Sequence, residues 1–159
     1  MNLLYRYVIK SLEWVRFQHE AELKSKIIYN IFKQYCDDIE LVRWIDRWYE
    51  PDRVFDVVFD IRHLSRLQDA FHKDTIKILY LNASEDNGRN KAELDRINEV
   101  NKRRGCKLEP HRQILDPMSL HESLDLADYI LLTGNEYTLS TYPEKYRDKI
   151  ILVDTIANI

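Results

Sequence analysis

Apolar side chains recur along this chain in two rhythms. Between about residues 20 and 35, Ile27, Ile28, Ile31, Phe32 and Tyr35 fall at helical spacing with Lys24, Lys26 and Lys33 between them, which predicts an amphipathic helix. Ahead of it, Leu3, Leu4, Tyr7, Val8, Leu12 and Val15 fit a helical stripe, while Leu3 to Ile9 equally fits a short buried strand. Periodicity does not separate these two readings of residues 1–20. Further on, short β-rich runs take over: Ile39–Ile45, Phe55–Ile61, Ile76–Asn82, Lys107–Ile114, Tyr129–Thr133 and Lys149–Val153.

Runs such as Val57-Val58-Phe59 and Ile130-Leu131-Leu132 are apolar without alternation, as in strands buried on both faces of a helix-covered parallel sheet. Between Ile76–Asn82 and Lys107–Ile114, Asn90 is placed to cap a helix with Glu93 as reciprocal partner, and Gly105 follows Arg103-Arg104 at its end. That gives a strand–helix–strand unit, with Pro110 making the second run an edge strand or only half strand. The expected fold is α/β: a Rossmann-like three-layer sandwich with a mostly parallel sheet, forming one domain over residues 1–159.

Composition agrees. Of 159 residues, 45% are hydrophobic and 32% charged, with only 3 Gly and 4 Pro, which excludes disordered and collagen-like chains. Lys and Arg number 24 against 27 Asp and Glu, a net charge of −3, too balanced for the basic field that nucleic acid requires. Cys36 and Cys106 stand in no metal-ligand or disulfide spacing and are expected as free buried thiols. No apolar run reaches membrane-span length and no signal-peptide pattern opens the chain, so a cytoplasmic location is expected.

In open α/β sheets ligands bind beyond the carboxyl ends of the strands, which narrows the candidate chemistry to Arg62-His63, to Ala83 through Asn90, and to Thr133 through Thr138. The last stretch is the most informative. Gly134 ends a buried strand and is followed by an amide at Asn135, a carboxylate at Glu136 and hydroxyls at Thr138 and Thr141, suited to an anion or to sugar hydroxyls. The competing reading is a helix cap made by Asn135 or Thr138. His63 either binds substrate or hydrogen-bonds a backbone carbonyl; His72, His111 and His121 fit no metal pattern and suit surface or capping roles. GxGxxG, GxxxxGK[ST] and GxSxG are all absent, which removes support for dinucleotide oxidoreductases, P-loop NTPases and α/β-hydrolases.

From about His19 onward, several strings resemble the N-terminal half of bacterial retaining "group 1" glycosyltransferases with the two-domain GT-B fold. These are Ile76-Lys77-Ile78-Leu79-Tyr80, the Asn90 to Gly105 helix, and above all Ala127-Asp128-Tyr129 through Gly134-Asn135-Glu136-Tyr137-Thr138, continued by Ser140-Thr141-Tyr142. Ala83 and Glu85 depart from the Gly and His that the resembling proteins tend to carry there. The resemblance implies the acceptor-side half of an enzyme moving a sugar from a nucleotide-sugar donor with retention of configuration. Arg62, His63, Gly134, Asn135, Glu136 and Thr138 would then contact a sugar or lipid-linked acceptor, with no metal and no cofactor beyond the donor. A second Rossmann-like domain or subunit would carry most donor-binding groups, so the chain alone is expected to bind acceptor weakly and turn over slowly or not at all. Glu85 with Glu93, and Glu136 with Glu144, share the E-x7-E spacing of that donor pair, and neither is assigned to it.

Two other readings compete. One is a small flavodoxin-like binding or regulatory module acting by protein contact, although Asp60 is the only acid that ends a strand. The other gives the N-terminus a peripheral membrane contact through Trp14 and Phe17, flanked by Arg6, Lys10 and Arg16.

Overall fold

Alternation along the strands sends side chains to two distinct cores on opposite faces of one sheet. The computed structural model describes residues 1–7, 20–46, 48–113 and 118–153. Six strands, β1 (Asn2–Tyr7), β2 (Asp38–Arg43), β3 (Phe55–Ile61), β4 (Phe71–Leu81), β5 (Tyr129–Thr133) and β6 (Ile150–Val153), lie in the order β2-β1-β3-β4-β5-β6. All five pairings are parallel. The helices are α1 (Glu20–Phe32), α2 (Asp86–Arg104), α3 (Met118–Leu126), α4 (Glu136–Ser140) and α5 (Glu144–Arg147), with a 3-10 segment at Leu64–Ala70.

On one face Leu3, Tyr5, Tyr7, Val57, Phe59, Ile61 and Tyr80 pack with Ile28, Tyr29 and Phe32 of α1. On the other, Leu4, Val58, Leu79, Leu81, Ile130 and Leu132 meet Leu64 and Leu67 of the 3-10 segment, Leu120 and Leu124 of α3, and Tyr142 and Tyr146. The result is the α/β Rossmann-like sandwich expected from the unbroken apolar runs. Phe59 is the hub of the aromatic face, its ring 5.0 Å from Tyr5, 5.6 Å from Phe32, 6.0 Å from Tyr80 and 6.1 Å from Tyr7. Toward β6 that face opens: Ile76, Tyr129 and Ile151, which share it by alternation, are 41%, 52% and 51% exposed.

Several sequence expectations are corrected. For the N-terminal run the strand reading holds over Asn2–Tyr7, while Val8, Ile9, Lys10, Leu12, Trp14, Val15, Arg16 and Phe17 lie outside the described residues. Residues 107–113 form no strand, and Ile114 lies outside the described residues. Pro110 offers no ladder donor, Leu108 is half exposed, and Asn101 instead ties Leu108 back to α2, bonding its N–H at 2.7 Å and its carbonyl at 3.0 Å. The crossover from β4 therefore returns through α2 and α3 to β5, its parallel neighbour. Helix α2 starts four residues earlier than Asn90, because Glu85 accepts the Gly88 N–H at 2.9 Å and acts as the cap. Its predicted end is observed: Gly105 adopts φ 62°, behind Lys102, Arg103 and Arg104. Strand β4 extends back to Phe71, which pairs with Phe55 across a register shift. Cys36 is buried and free, whereas Cys106 is free but only half-buried.

Replacing Phe59 by Ala should remove the shared contact of four rings and cost about 3–5 kcal/mol. Urea denaturation checks this: the midpoint falls while the slope stays as in the parent.

Candidate functional site at the carboxyl rim of the sheet

The chain leaves β1 to one side to make β2, then crosses back to make β3 on the other, so the topological switch point lies between β1 and β3. Asp60, at the carboxyl end of β3, is 1% exposed and faces Arg6 of β1, 3% exposed, with Oδ1 3.6 Å from the guanidinium Nε. Arg6 also donates through Nη2 to the backbone carbonyls of Asp46 at 2.7 Å and Trp44 at 3.3 Å, pinning the turn that follows β2. The other carboxylate oxygen of Asp60 accepts the His63 N–H at 2.8 Å. Burial pushes the Asp60 carboxyl up to about 7, against the opposing pull of Arg6 and of the His63 and Ile61 N–H groups.

Between Asp60 and His63 the chain turns sharply. Arg62 takes φ 66°, the only non-glycine with positive φ among the described residues. A left-handed conformation costs a side-chain-bearing residue about 1–2 kcal/mol and is retained where the surroundings over-determine it. Here the His63 N–H is held by Asp60 and by the Ile61 carbonyl, and the Arg62 guanidinium is paired with the buried carboxylate of Asp86 at the start of α2. Burial lowers the Arg62 guanidinium from its ordinary value.

The β4 and β5 loops join this rim. Glu85 is buried, its Oε1 2.9 Å from His121 Nε2 on α3, and its N–H donates to the Thr141 hydroxyl at 3.0 Å. Burial works against the Glu85 carboxylate, but hydrogen bonds from His121 and from the Gly88 and Asn87 N–H groups outweigh it and hold the group below its ordinary value. Tyr142 donates its hydroxyl to the Ala83 carbonyl at 2.6 Å. On the α1 face, the buried Thr133 hydroxyl lies 2.6 Å from Tyr80 Oη and 3.5 Å from Lys24 Nζ. Strand ends β3, β4 and β5 are thus stitched in sequence: Arg62 to Asp86, then Glu85 to Thr141 and Ala83 to Tyr142.

The residues expected to bind substrate all lie on this rim, and several carry structural work there. Asn135 caps α4, its side-chain oxygen accepting the Thr138 N–H at 3.0 Å and the Thr138 hydroxyl at 3.2 Å. This is the capping reading, and it leaves the Asn135 amide NH2 facing solvent. Gly134 is required by close approach, since a Cβ there would sit 2.7 Å from the Thr138 Cβ. Glu136 is exposed beside it. His63 donates its main-chain N–H while its ring is half-buried.

Arg6, expected beside a membrane contact of the N-terminus, is instead buried against Asp60, and Lys24, Tyr80 and Tyr142 had no expected site role, because apolar or helical spacing gives no sign that a polar group on a strand or helix is buried against the rim. His121 was expected in a surface or capping role and instead supports the cap residue Glu85. Among the described residues no three His, Cys, Asp or Glu side chains converge as metal ligands, and no helix is long and apolar enough to cross a membrane. No family model, curated protein or solved structure matches the chain.

Two measurements test this geometry. Arg62→Ala and Arg62→Gly both lose the pair with Asp86, but only Gly relieves the left-handed strain, so the Gly variant should be the more stable of the two by about 1 kcal/mol in urea denaturation. Asp60, raised from 3.8 to about 7, keeps its proton in the folded state over a range where the unfolded chain has released it. Its contribution to stability therefore declines as pH rises from about 4 to about 7. Asp60→Asn should flatten that decline, read as the pH-dependent difference in unfolding free energy between variant and parent.

Proposed function

We propose that this rim is the acceptor side of a glycosyltransferase-like enzyme, one that moves a sugar from a nucleotide-sugar donor with retention and shares its cleft with a second Rossmann-like domain or subunit. The observation that carries the reading is the strained Arg62 turn. A bulky residue held left-handed at the carboxyl end of a strand bordering the switch point is the kind of strain that binding sites store. The Gly134-Asn135-Glu136-Tyr137-Thr138 string, on which the resemblance to "group 1" glycosyltransferases rests, sits two strands away on the same rim.

Within this reading the work divides. Thr138, Thr141 and Tyr142 build the platform, while the Arg62 and His63 side chains, the Asn135 amide and the Glu136 carboxylate offer donors and acceptors to sugar hydroxyls. Holding an acceptor hydroxyl at near-attack distance contributes to rate through geometry alone. Stabilising the departing nucleotide falls to the partner domain. A sugar or a lipid-linked sugar serves equally as acceptor, because the recognised groups are hydroxyls.

A second reading, a flavodoxin-like module acting by protein contact, draws support from the strand order, which follows the 2-1-3-4-5 pattern with one strand added. The half-exposed Ile76, Tyr129 and Ile151 on the β4–β6 side would then be its contact surface.

Nuclear magnetic resonance titration of the labelled chain with a panel of mono- and oligosaccharides tests the proposal. Weak saturable shifts are expected at the amides of 62–63, 83–86 and 134–138, with His63→Ala and Glu136→Gln each weakening binding about three- to tenfold. Saccharide-independent spectra overturn the sugar reading. Robust transfer by the chain alone from any nucleotide sugar overturns the division of labour with a second domain.

A further inference from the structure

Helix α2 has nineteen residues, yet only Asp86 in it is buried, so its arginines are not committed to the core. Against one side of the helix lies a pocket of about 310 Å³ lined by Arg89, Ala92, Glu93 and Arg96 of α2 and by Arg112 of the segment that folds back along it. Three guanidiniums face one carboxylate, and that carboxylate, Glu93, is paired with Arg96. Neither Arg89 nor Arg112 has a carboxylate partner among the described residues. Arg89 is also misplaced by helix electrostatics, since it stands in the first turn, where the macrodipole favours negative charge. The Arg89 N–H donates to the carbonyl of the cap residue Glu85 at 2.9 Å, which places the pocket beside the rim.

We propose that this pocket binds a phosphate or diphosphate group. Planar guanidiniums match phosphate oxygens bidentately, and an anion between Arg89 and Arg112 would neutralise both the mutual repulsion and the unfavourable position of Arg89 on the helix. The volume lies at the small end of ligand cavities and suits a diphosphate or a phosphorylated sugar. The single carboxylate fixes Arg96 in orientation and sets an upper limit on affinity. The phosphate comes either free, on a soluble molecule, or as the headgroup of a lipid; the pocket's chemistry is the same for both. The inference is independent of the carbohydrate reading, because none of its lining residues belongs to the Arg62-His63 or Gly134–Thr138 set.

The test titrates the full chain with inorganic pyrophosphate at low ionic strength, following arginine side-chain N–H and backbone amide resonances. A second arm floats the chain on phosphatidylcholine vesicles with and without phosphatidic acid. Saturable shifts at residues 89–96 and 112 are expected, with Arg89→Ala and Arg112→Ala each weakening binding about tenfold and the double variant abolishing it. Glu93→Gln should tighten it about fivefold. All of these positions border an exposed helix, so retained far-ultraviolet dichroism separates lost binding from lost folding. If pyrophosphate is silent but phosphatidic-acid vesicles bind with the same arginine dependence, the source is a lipid headgroup and the proposal stands. Binding in neither arm, or pyrophosphate binding indifferent to the double variant, overturns it. Saccharide titration of the rim reads different residues, so failure here is distinguishable from failure there.

Discussion

One buried carboxylate organises the carboxyl rim. Asp60 lies near the end of a strand flanked on both sides, in a position where an unpaired charge would cost several kcal/mol. Its needs are met by three neighbours: the Arg6 guanidinium from β1, the His63 N–H, and the N–H of Ile61. Meeting them requires the chain to reverse within two residues of the strand end, and that reversal forces Arg62 into its left-handed conformation. Arg6 in turn donates through Nη2 to the carbonyls of Trp44 and Asp46, so the same pair also fixes the turn that follows β2. A single electrostatic requirement thereby sets the backbone path on both sides of the switch point.

The other strand ends are secured by the same logic with different chemistry. Glu85 and Asp86 are both buried acids at the start of α2, one neutralised by helix N–H groups and His121, the other by Arg62. Because Asp86 accepts Arg62 and the Glu85 N–H donates to Thr141, the β3, β4 and β5 loops form one hydrogen-bonded chain rather than three independent loops. A change at any of them is therefore transmitted along the rim, and residues there should show coupled rather than additive effects.

The interior of this fold was legible in the sequence, and the rim was only partly so. Phe55–Ile61 and Tyr129–Thr133 were readable to the residue, because their central runs, Val57-Val58-Phe59 and Ile130-Leu131-Leu132, are covered on both faces and are apolar without alternation. Lys107–Ile114 misled, since a β-rich composition does not reveal that a run lies outside the sheet, where nothing offsets the missing donor of Pro110. Asn90 misled for a related reason. A capping pattern is local, but Glu85 prevailed as cap because its carboxylate is fixed from outside the helix by His121, thirty-six residues away. At Gly134–Thr138 the sequence offered both convergent polar groups and a helix cap, and local spacing did not decide between them; in the structure Asn135 is the cap. Long-range pairs such as Arg6 with Asp60, and Thr133 with Tyr80, have no local signature at all.

Helix α2 is held at its ends rather than along its length. Nineteen residues with scarcely any buried face draw little stability from packing, and helices that depend on propensity alone are marginal in water. What holds this one is its ends: Glu85 and Asp86 fasten the first turn to α3 and to Arg62, and Gly105 with the basic last turn satisfies the other terminus. A helix anchored by its N-terminal acids is coupled to the rim through the very residues that hold Arg62 in its strained turn. The order of α2, the conformation of Arg62 and the position of Arg89 are therefore linked through that shared anchor.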